Sequence, residues 1–323
     1  MAQDKRFHNL DSLPERRASF VDMLRYVLVE RHRSLAEEHI NLFKPTPVVA
    51  NDGEALRANT SRTSITWIGH SSFLIQMGGR SLLTDPVWSK TSGAGPFGSA
   101  RLVSPGVRLA DLPPIDLVLI SHNHYDHLDY HTIRWLGNQP TYLVPSRLSR
   151  WFHSIGCQKV HECGWWDELE LLGLHFDFVP SHHWSGRTLS DMNKTLWGGW
   201  ILSNGSQKLY FAGDSAYFSG FKLIGERYPG IDLALMPVGT YEPRWTMQSS
   251  HVTPEEAGQA FLDVGARIMV PMHWGTFRLS IEPAHEPPRR LATWWQQQRL
   301  DPANNWTLAI GETRYLDKGQ SKE

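Results

Sequence analysis

The chain has 323 residues, with 32 Lys and Arg against 33 Asp and Glu and a formal net charge of -1. That balance leaves no surplus of positive charge to hold a polyanion and excludes nucleic acid as a partner. At 41% hydrophobic and 20% charged residues it is an ordinary globular protein rather than a disordered one, and no apolar run reaches the roughly 18 residues needed to span a bilayer.

Residues 1–60 are expected to form an N-terminal helical extension and linker. Phe20, Met23, Leu24, Val27, Leu28 and Leu35 recur at helical spacing, with Arg16, Arg17, Arg25, Arg31 and Arg33 among them, ahead of a Pro- and Asn-containing stretch at 45–60. Such a helix packs on the main domain or on a second copy in a homodimer, or, being basic, rests on a membrane as a peripheral contact. Residues 61–323 read as one catalytic unit. Ser64–Gly69 and Phe73–Met77, a Gly78-Gly79 turn and Ser81–Thr84 predict a small antiparallel meander.

Further strand-like runs are Ile115–Ile120, Thr141–Val144, Leu174–Val179, Trp200–Ser203, Leu209–Ala212, Ile231–Pro237 and Arg267–Pro271. Helical patterns lie between several of them. At Thr253–Val264, Thr253 and Glu256 predict a capping box, Pro254 takes the first helical position, and Ala257, Ala260, Phe261 and Val264 make the apolar face. Strands outnumber helices but both are present, which makes this an α/β (α+β) chain. Cys157 and Cys163 are too far apart for a CxxC site and too few for a disulfide framework. With a start, MAQDKRFHNL, that lacks the apolar core of a secretion signal, they point to free thiols and a cytoplasmic address.

The chain is rich in two residue types, 16 His and 14 Trp, and the histidines fall where strands end. Ile115–Ile120 leads into Ser121-His122-Asn123-His124-Tyr125-Asp126-His127. Leu174–Val179 leads to His182-His183, Leu209–Ala212 to Asp214, Arg267–Pro271 to His273, and Ser81–Thr84 to Asp85. Loops on one edge of a sheet scaffold can bring such residues together. Two imidazoles two residues apart can grip one borderline cation, and Asp126 with the adjacent His127 points to a second.

This ordered set of HxHxDH, a later His, AGD and a final His resembles the metallo-β-lactamase family, an αββα sandwich with two metals at one sheet edge. GHSSFLI, LTDPVWS, SHNHYDHLDY, HW followed by RTLSDMNKTLWGGW, YFAGDSAY, YEPRW, HVTPEEA, HWGTF and GETRYL further resemble the N-acylphosphatidylethanolamine-hydrolysing phospholipase D family, over roughly residues 62–316. The resemblance implies that His122, His124 and His183 hold one metal, that Asp126, His127 and His273 hold the other, and that Asp214 bridges them. His182 is an alternative to His183, because the family motif is a single His before Trp. Asp85 would be the buried carboxylate behind a ligand, and His70 in GHSS is either beside the metals or a packing residue of the turn.

The implied cofactors are two Zn2+, with Mn2+ or iron as alternatives. Zinc brings a bound water toward a pKa of roughly 7, so that hydroxide becomes available to attack phosphorus. The implied activity is a phosphodiesterase of phospholipase D type acting on a lipid or another small phosphodiester. Asp126 and Asp214 would serve catalysis through the metals, and His251 would assist the leaving group or hydrogen-bond the phosphate. Trp184, Trp245 and Trp274 are candidate walls of the substrate pocket, and Arg244 is either a phosphate contact or a structural ion pair. The same centre suits a lactonase or ester hydrolase, since fold does not fix substrate, and an iron oxidoreductase is a further reading.

Overall fold

The computed structural model describes residues 6–11, 46–93, 98–188 and 190–316. The helix expected over 20–35 lies outside the described residues. Within the expected linker, Glu54–Ala58 form a short helix (α1), and Val48 makes a parallel bridge to Ile310.

The expected meander is present: β1 (Ser64–Gly69), β2 (Ser72–Met77) and β3 (Arg80–Thr84) pair antiparallel in sequence. After the minor ribbon β4 (Thr91–Ser92) and β5 (Ser99–Ala100), the strands β6 (Leu117–Leu119), β7 (Thr141–Pro145) and β8 (Val160–Cys163) add to β3 in parallel. A second sheet is built from β9 (Glu168–Leu171), β10 (Leu174–Val179), β11 (Gly199–Ser203), β12 (Lys208–Phe211), β13 (Leu233–Pro237) and β14 (Ile268–Met272). It is antiparallel from β9 to β12 and parallel from β12 to β14. The last strand, β15 (Thr313–Tyr315), returns to the outer edge of β1.

Period-two alternation in the first sheet decides the layering. Phe73, Ile75 and Met77 of β2 and Leu117 and Leu119 of β6 join Phe176, Phe178, Trp200 and Phe211 of the second sheet in one core between the sheets. Leu74, Leu83 and Val118 face the other way, toward Ile133 and Leu136 of α2 (Tyr130–Leu136) and Phe152 of α3 (Ser149–Ser154). Because both faces of β6 are buried, its sequence is a continuous apolar run rather than an alternating one. Beyond α4 (Gly220–Arg227) and the short α5 (Arg244–Met247), the helices α6 (Pro254–Asp263) and α7 (Glu286–Gln297) cover the second sheet. Ala257, Ala260, Leu291 and Trp294 reach into the same core. The result is the αββα sandwich.

The capping box at Thr253 and Glu256 forms as the residue pattern predicts, with Pro254 in the first turn. The edge strands β8, β9 and β15 escape a reading by apolar runs: β9 is the short Glu-Leu-Glu-Leu, whose Leu169 and Leu171 pack against the core while its glutamates stay exposed, and β15 is the half-buried Thr-Arg-Tyr. Cys157 and Cys163 are buried free thiols. No described helix is long and apolar enough to cross a membrane.

Strands β3 and β6 of the first sheet run in one direction, and so do β10, β12, β13 and β14 of the second. The segments that leave their carboxyl ends meet at one edge of the sandwich.

Candidate metal centre

Most groups at this edge arrive on the segment that leaves a strand, His251 on the turn before α6, and several do so in strained backbone. His70, Asp85, Thr240 and His273 have φ of 56°, 32°, 66° and 64°. Left-handed conformations in non-glycine residues are costly, and four of the nine among the described residues lie at this edge. Gly213, the residue before Asp214, has φ 64°, and a Cβ there would lie 2.7 Å from the Gly198 carbonyl oxygen and 2.8 Å from Ser121 Cβ. Only glycine lets the β12 exit pass that close to Ser121.

Two sets of donors face each other. In the first, His122 Nε2 lies 2.8 Å and His183 Nε2 3.3 Å from Nδ1 of His124. In the second, Asp126 Oδ2 lies 3.3 Å from His127 Nε2 and 3.4 Å from His273 Nε2. Asp214 Oδ2 stands between the sets, 3.1 Å from His127 Nε2, 3.0 Å from His273 Nε2 and 3.9 Å from His183 Nε2.

Four of these imidazoles are aimed by a partner on the far nitrogen. His127 Nδ1 meets Asp85 Oδ2 at 2.6 Å, His122 Nδ1 meets Ser121 Oγ at 2.9 Å, His183 Nδ1 meets the Ser250 carbonyl at 2.9 Å, and His273 Nδ1 lies 3.3 Å from Thr240 Oγ1. Anchoring of one ring nitrogen fixes the direction of the other and raises its basicity. Asp85 serves both sets. Besides His127 it accepts from the amide and hydroxyl of Ser121, at 2.7 and 2.5 Å, and Ser121 in turn touches His122.

The inward Nε2 of His127 and His273, together with Asp214 Oδ1, are buried and have no hydrogen-bond partner among the described residues. Nitrogen and carboxylate lone pairs packed this closely are satisfied by cations, and they fit a metal better than they fit each other. Taken by themselves, Asp214 and the carboxylate and imidazoles of the second set neutralise one another. Burial alone would push His127 down, but the Asp214 and Asp126 charges outweigh it and hold it well above the usual imidazole range. Burial would likewise raise Asp214, but the His127 and His273 charges keep it well below the usual carboxylate range. On the other side, burial and then His183 bring His124 down to about 3, leaving a neutral ring with a lone pair to give.

The two neighbouring histidines at 182 and 183 separate cleanly. His182 turns away, its Nδ1 3.2 Å from the Ser249 carbonyl and its Nε2 3.1 Å from the Asp11 carbonyl, whereas His183 faces His124. His70 is more than a packing residue of the turn, since its Nε2 reaches Asp126 Oδ2 at 3.0 Å and its carbonyl accepts from the His273 amide at 3.2 Å. His251 Nδ1 is buried without a hydrogen-bond partner, 4.0 Å from Asp214 Oδ2.

A cavity of about 600 Å³ opens over this cluster, with Asp126, Asp214, His251 and His273 in its floor and Tyr125, Trp184, Trp245, Met247 and Leu279 among its walls. No Lys or Arg occurs among the described residues that line it. Two candidate substrate contacts lie elsewhere. Arg244 is committed to the Glu256 carboxylate, at 3.0 and 3.1 Å, and to the His251 carbonyl at 2.9 Å, so it takes the structural ion-pair role. Trp274 is buried in the core, its ring centroid 5.0 Å from that of Trp67. A residue that motif reading passes over is Arg187. Its Nη1 donates to the Asn123 and Leu128 carbonyls, at 3.0 and 2.7 Å, and its guanidinium lies 3.9 Å above the Tyr125 ring, clamping the 122–127 loop from behind.

An αββα sandwich carrying this donor set at the carboxyl ends of its strands is a metallo-β-lactamase-fold protein. The chain belongs to the β-lactamase superfamily: the family model described as Beta-lactamase superfamily domain matches residues 80–274, which hold all seven facing donors and Asp85. It is a metal-dependent hydrolase. N-acyl-phosphatidylethanolamine-hydrolyzing phospholipase D 1 of Caenorhabditis elegans is 36% identical over 241 residues, covering 69% of this chain and 67% of that protein. The mitochondrial N-acyl-phosphatidylethanolamine-hydrolyzing phospholipase D of Saccharomyces cerevisiae is 36% identical over 266 residues, covering 80% of this chain and 55% of that protein. Among solved structures, the metallo hydrolase Igni18 of Ignicoccus hospitalis has a TM-score of 0.61 at 22% identity, with 80% of this chain and 99% of that chain covered, and shows the same fold.

Proposed function

We propose that the protein hydrolyses a lipid phosphodiester of the N-acyl phosphatidylethanolamine type with two zinc ions. His122, His124 and His183 would hold one ion, Asp126, His127 and His273 the other, and Asp214 both. Mn2+ or iron would suit the same donors. When bound, such a pair supplies positive charge to the phosphoryl oxygens and brings a water toward a pKa of roughly 7.

The observation that carries this reading is the convergence of seven donors, three of their atoms buried without hydrogen-bond partners among the described residues, beneath a cavity that His124, Asp126, Asp214 and His273 reach, walled by Trp184, Trp245 and Met247 and devoid of described Lys or Arg. A diester carries one negative charge that this floor would neutralise, and the aromatic walls suit an apolar group next to it. The two phospholipase D relatives support the choice of phosphorus over carbon as the centre attacked. In the balanced reaction, water adds its oxygen to phosphorus, the bond from phosphorus to the head-group oxygen breaks, and the head group leaves as an alcohol that takes up a proton.

The chain's own residues prepare this step. Asp85 holds the tautomer of His127 by accepting at Nδ1, and Ser250 and Thr240 do the same for His183 and His273. His251, which burial pushes down to about 3, is a neutral ring facing the cavity and offers a hydrogen bond to a phosphoryl oxygen or to the departing alcohol. Trp184 and Met192 remain 40% and 50% exposed, apolar area that a lipid aggregate would cover.

The zinc-loaded protein assayed against bis(p-nitrophenyl) phosphate, N-acyl phosphatidylethanolamine and a lactone series is expected to cleave both phosphodiesters. Lactone hydrolysis without phosphodiester cleavage would overturn the reading in favour of a lactonase.

A further inference from the structure

Residues 6–11 stand outside the matched superfamily region, yet they are docked on the loop that presents His183. The segment runs extended with alternating burial: Phe7, Asn9 and Asp11 turn inward, while Arg6, His8 and Leu10 are exposed. The Asn9 carboxamide pairs with the backbone of His183 itself, 174 residues away. Its Nδ2 donates to the His183 carbonyl at 3.0 Å, and its Oδ1 accepts from the His183 amide at 3.1 Å and from Trp197 Nε1 at 2.9 Å.

The flanking residues fix the segment at both ends. The Phe7 amide donates to the Asn193 carbonyl at 2.8 Å, and the Arg147 guanidinium lies 4.7 Å above the Phe7 ring. Asp11 accepts at Oδ2 from the Ser219 amide and hydroxyl, at 3.2 and 2.7 Å, and its carbonyl lies 3.1 Å from His182 Nε2. His183 needs such an external hold. It follows β10 in irregular backbone, no strand partner engages it, and it is buried, so that Asn9 satisfies polar groups which water does not reach.

We propose that residues 6–11 are a strap that completes the metal centre from outside the sandwich, with Asn9 as the positioning residue that fixes His183, so that affinity for one of the two metals depends on the strap. This rests on the reading of His183 as a ligand of the His122 and His124 metal.

The test titrates zinc alone into the metal-free full-length protein, against a competing chelator, for wild type, Asn9→Ala, Asn9→Asp and the exposed control His8→Ala. Asn9→Asp keeps the acceptor for the His183 amide and loses only the donor to the carbonyl. Wild type and His8→Ala are expected to bind two ions tightly. Asn9→Ala is expected to weaken one ion by about 10–100-fold, as loss of a group supporting a ligand does, and to leave the other unchanged, with Asn9→Asp between wild type and Asn9→Ala. Two zinc affinities in Asn9→Ala equal to wild type, or both lowered together along with the melting temperature, would overturn the strap while leaving the ligand reading in place. Wild type that fails to bind two ions would overturn the ligand reading and the strap with it.

Discussion

Asp214→Asn is expected to leave the purified protein with at most one tightly held metal and to lower its phosphodiesterase rate by more than about 100-fold, since even groups one shell behind a ligand cost 10–100-fold. The expectation follows from position. Asp214 Oδ2 is the atom that approaches both donor sets, within 3.1 Å of His127 Nε2 and 3.0 Å of His273 Nε2 on one side and 3.9 Å of His183 Nε2 on the other. Asn preserves shape and removes the charge, so what is lost is the anionic bridge rather than packing. Asp214 is buried, and Gly213 before it, with no room for a Cβ, holds the chain close to Ser121. Metal content by inductively coupled plasma spectrometry and rate against bis(p-nitrophenyl) phosphate check the two halves separately. Two bound metals and a wild-type rate in Asp214→Asn would remove it from the bridging position.

Stripping the metals with a chelator is expected to abolish hydrolysis and to lower the melting temperature by on the order of 10 °C, both restored by zinc. A ligand that binds only the folded state at a thousandfold excess over its Kd contributes about 4 kcal/mol. In a domain of 150–250 residues each kcal/mol moves the midpoint by about 2–4 °C. The sign follows from the site itself: without cations, buried carboxylates and imidazoles are left facing one another, and the Nε2 atoms of His127 and His273 make no hydrogen bond among the described residues. Differential scanning calorimetry of the stripped and reloaded protein reads the shift, and an identical melting temperature with and without zinc would contradict it.

The parts of the site that the sequence makes legible are those whose chemistry is local. His122, His124, Asp126 and His127 sit within one short loop after an apolar run, and Asp85, Asp214 and His273 each follow a strand by one to three residues. Spacing alone left His182 and His183 level, because the choice depends on which way the chain turns after β10 and on the carbonyls of Ser249 and Asp11 that draw His182 aside. Arg244 carries the charge of a phosphate ligand, but its partner Glu256 is the residue that also closes the cap of α6. Trp274 shares the letters of a wall residue, yet its ring packs on Trp67. The roles of Arg187 and Asn9 escape a reading of the sequence for a common reason: their main partners are backbone amides and carbonyls, which every residue has, and their ring partners, Tyr125 and Trp197, lie far off in the chain.

The layering was legible where strands bury both faces, as in β6, and illegible at the edges. β15 takes its place from β1, and the alternation of β9, with Leu169 and Leu171 on the core side, is too short to stand out. The near-neutral charge and the cavity without described Lys or Arg agree with each other: on the proposed function, an anionic substrate would be held by the metals and by a few neutral donors such as His251.

Hydrolysis of a phosphodiester at phosphorus on this edge of the sandwich is tested by incubating the zinc-loaded protein with N-acyl phosphatidylethanolamine in heavy-oxygen water and analysing the products by mass spectrometry. The label is expected to enter the phosphate of the released phosphatidic acid, and the N-acyl ethanolamine to carry none. Label in the ethanolamine hydroxyl or in a freed fatty acid, or no release of either product, would contradict it.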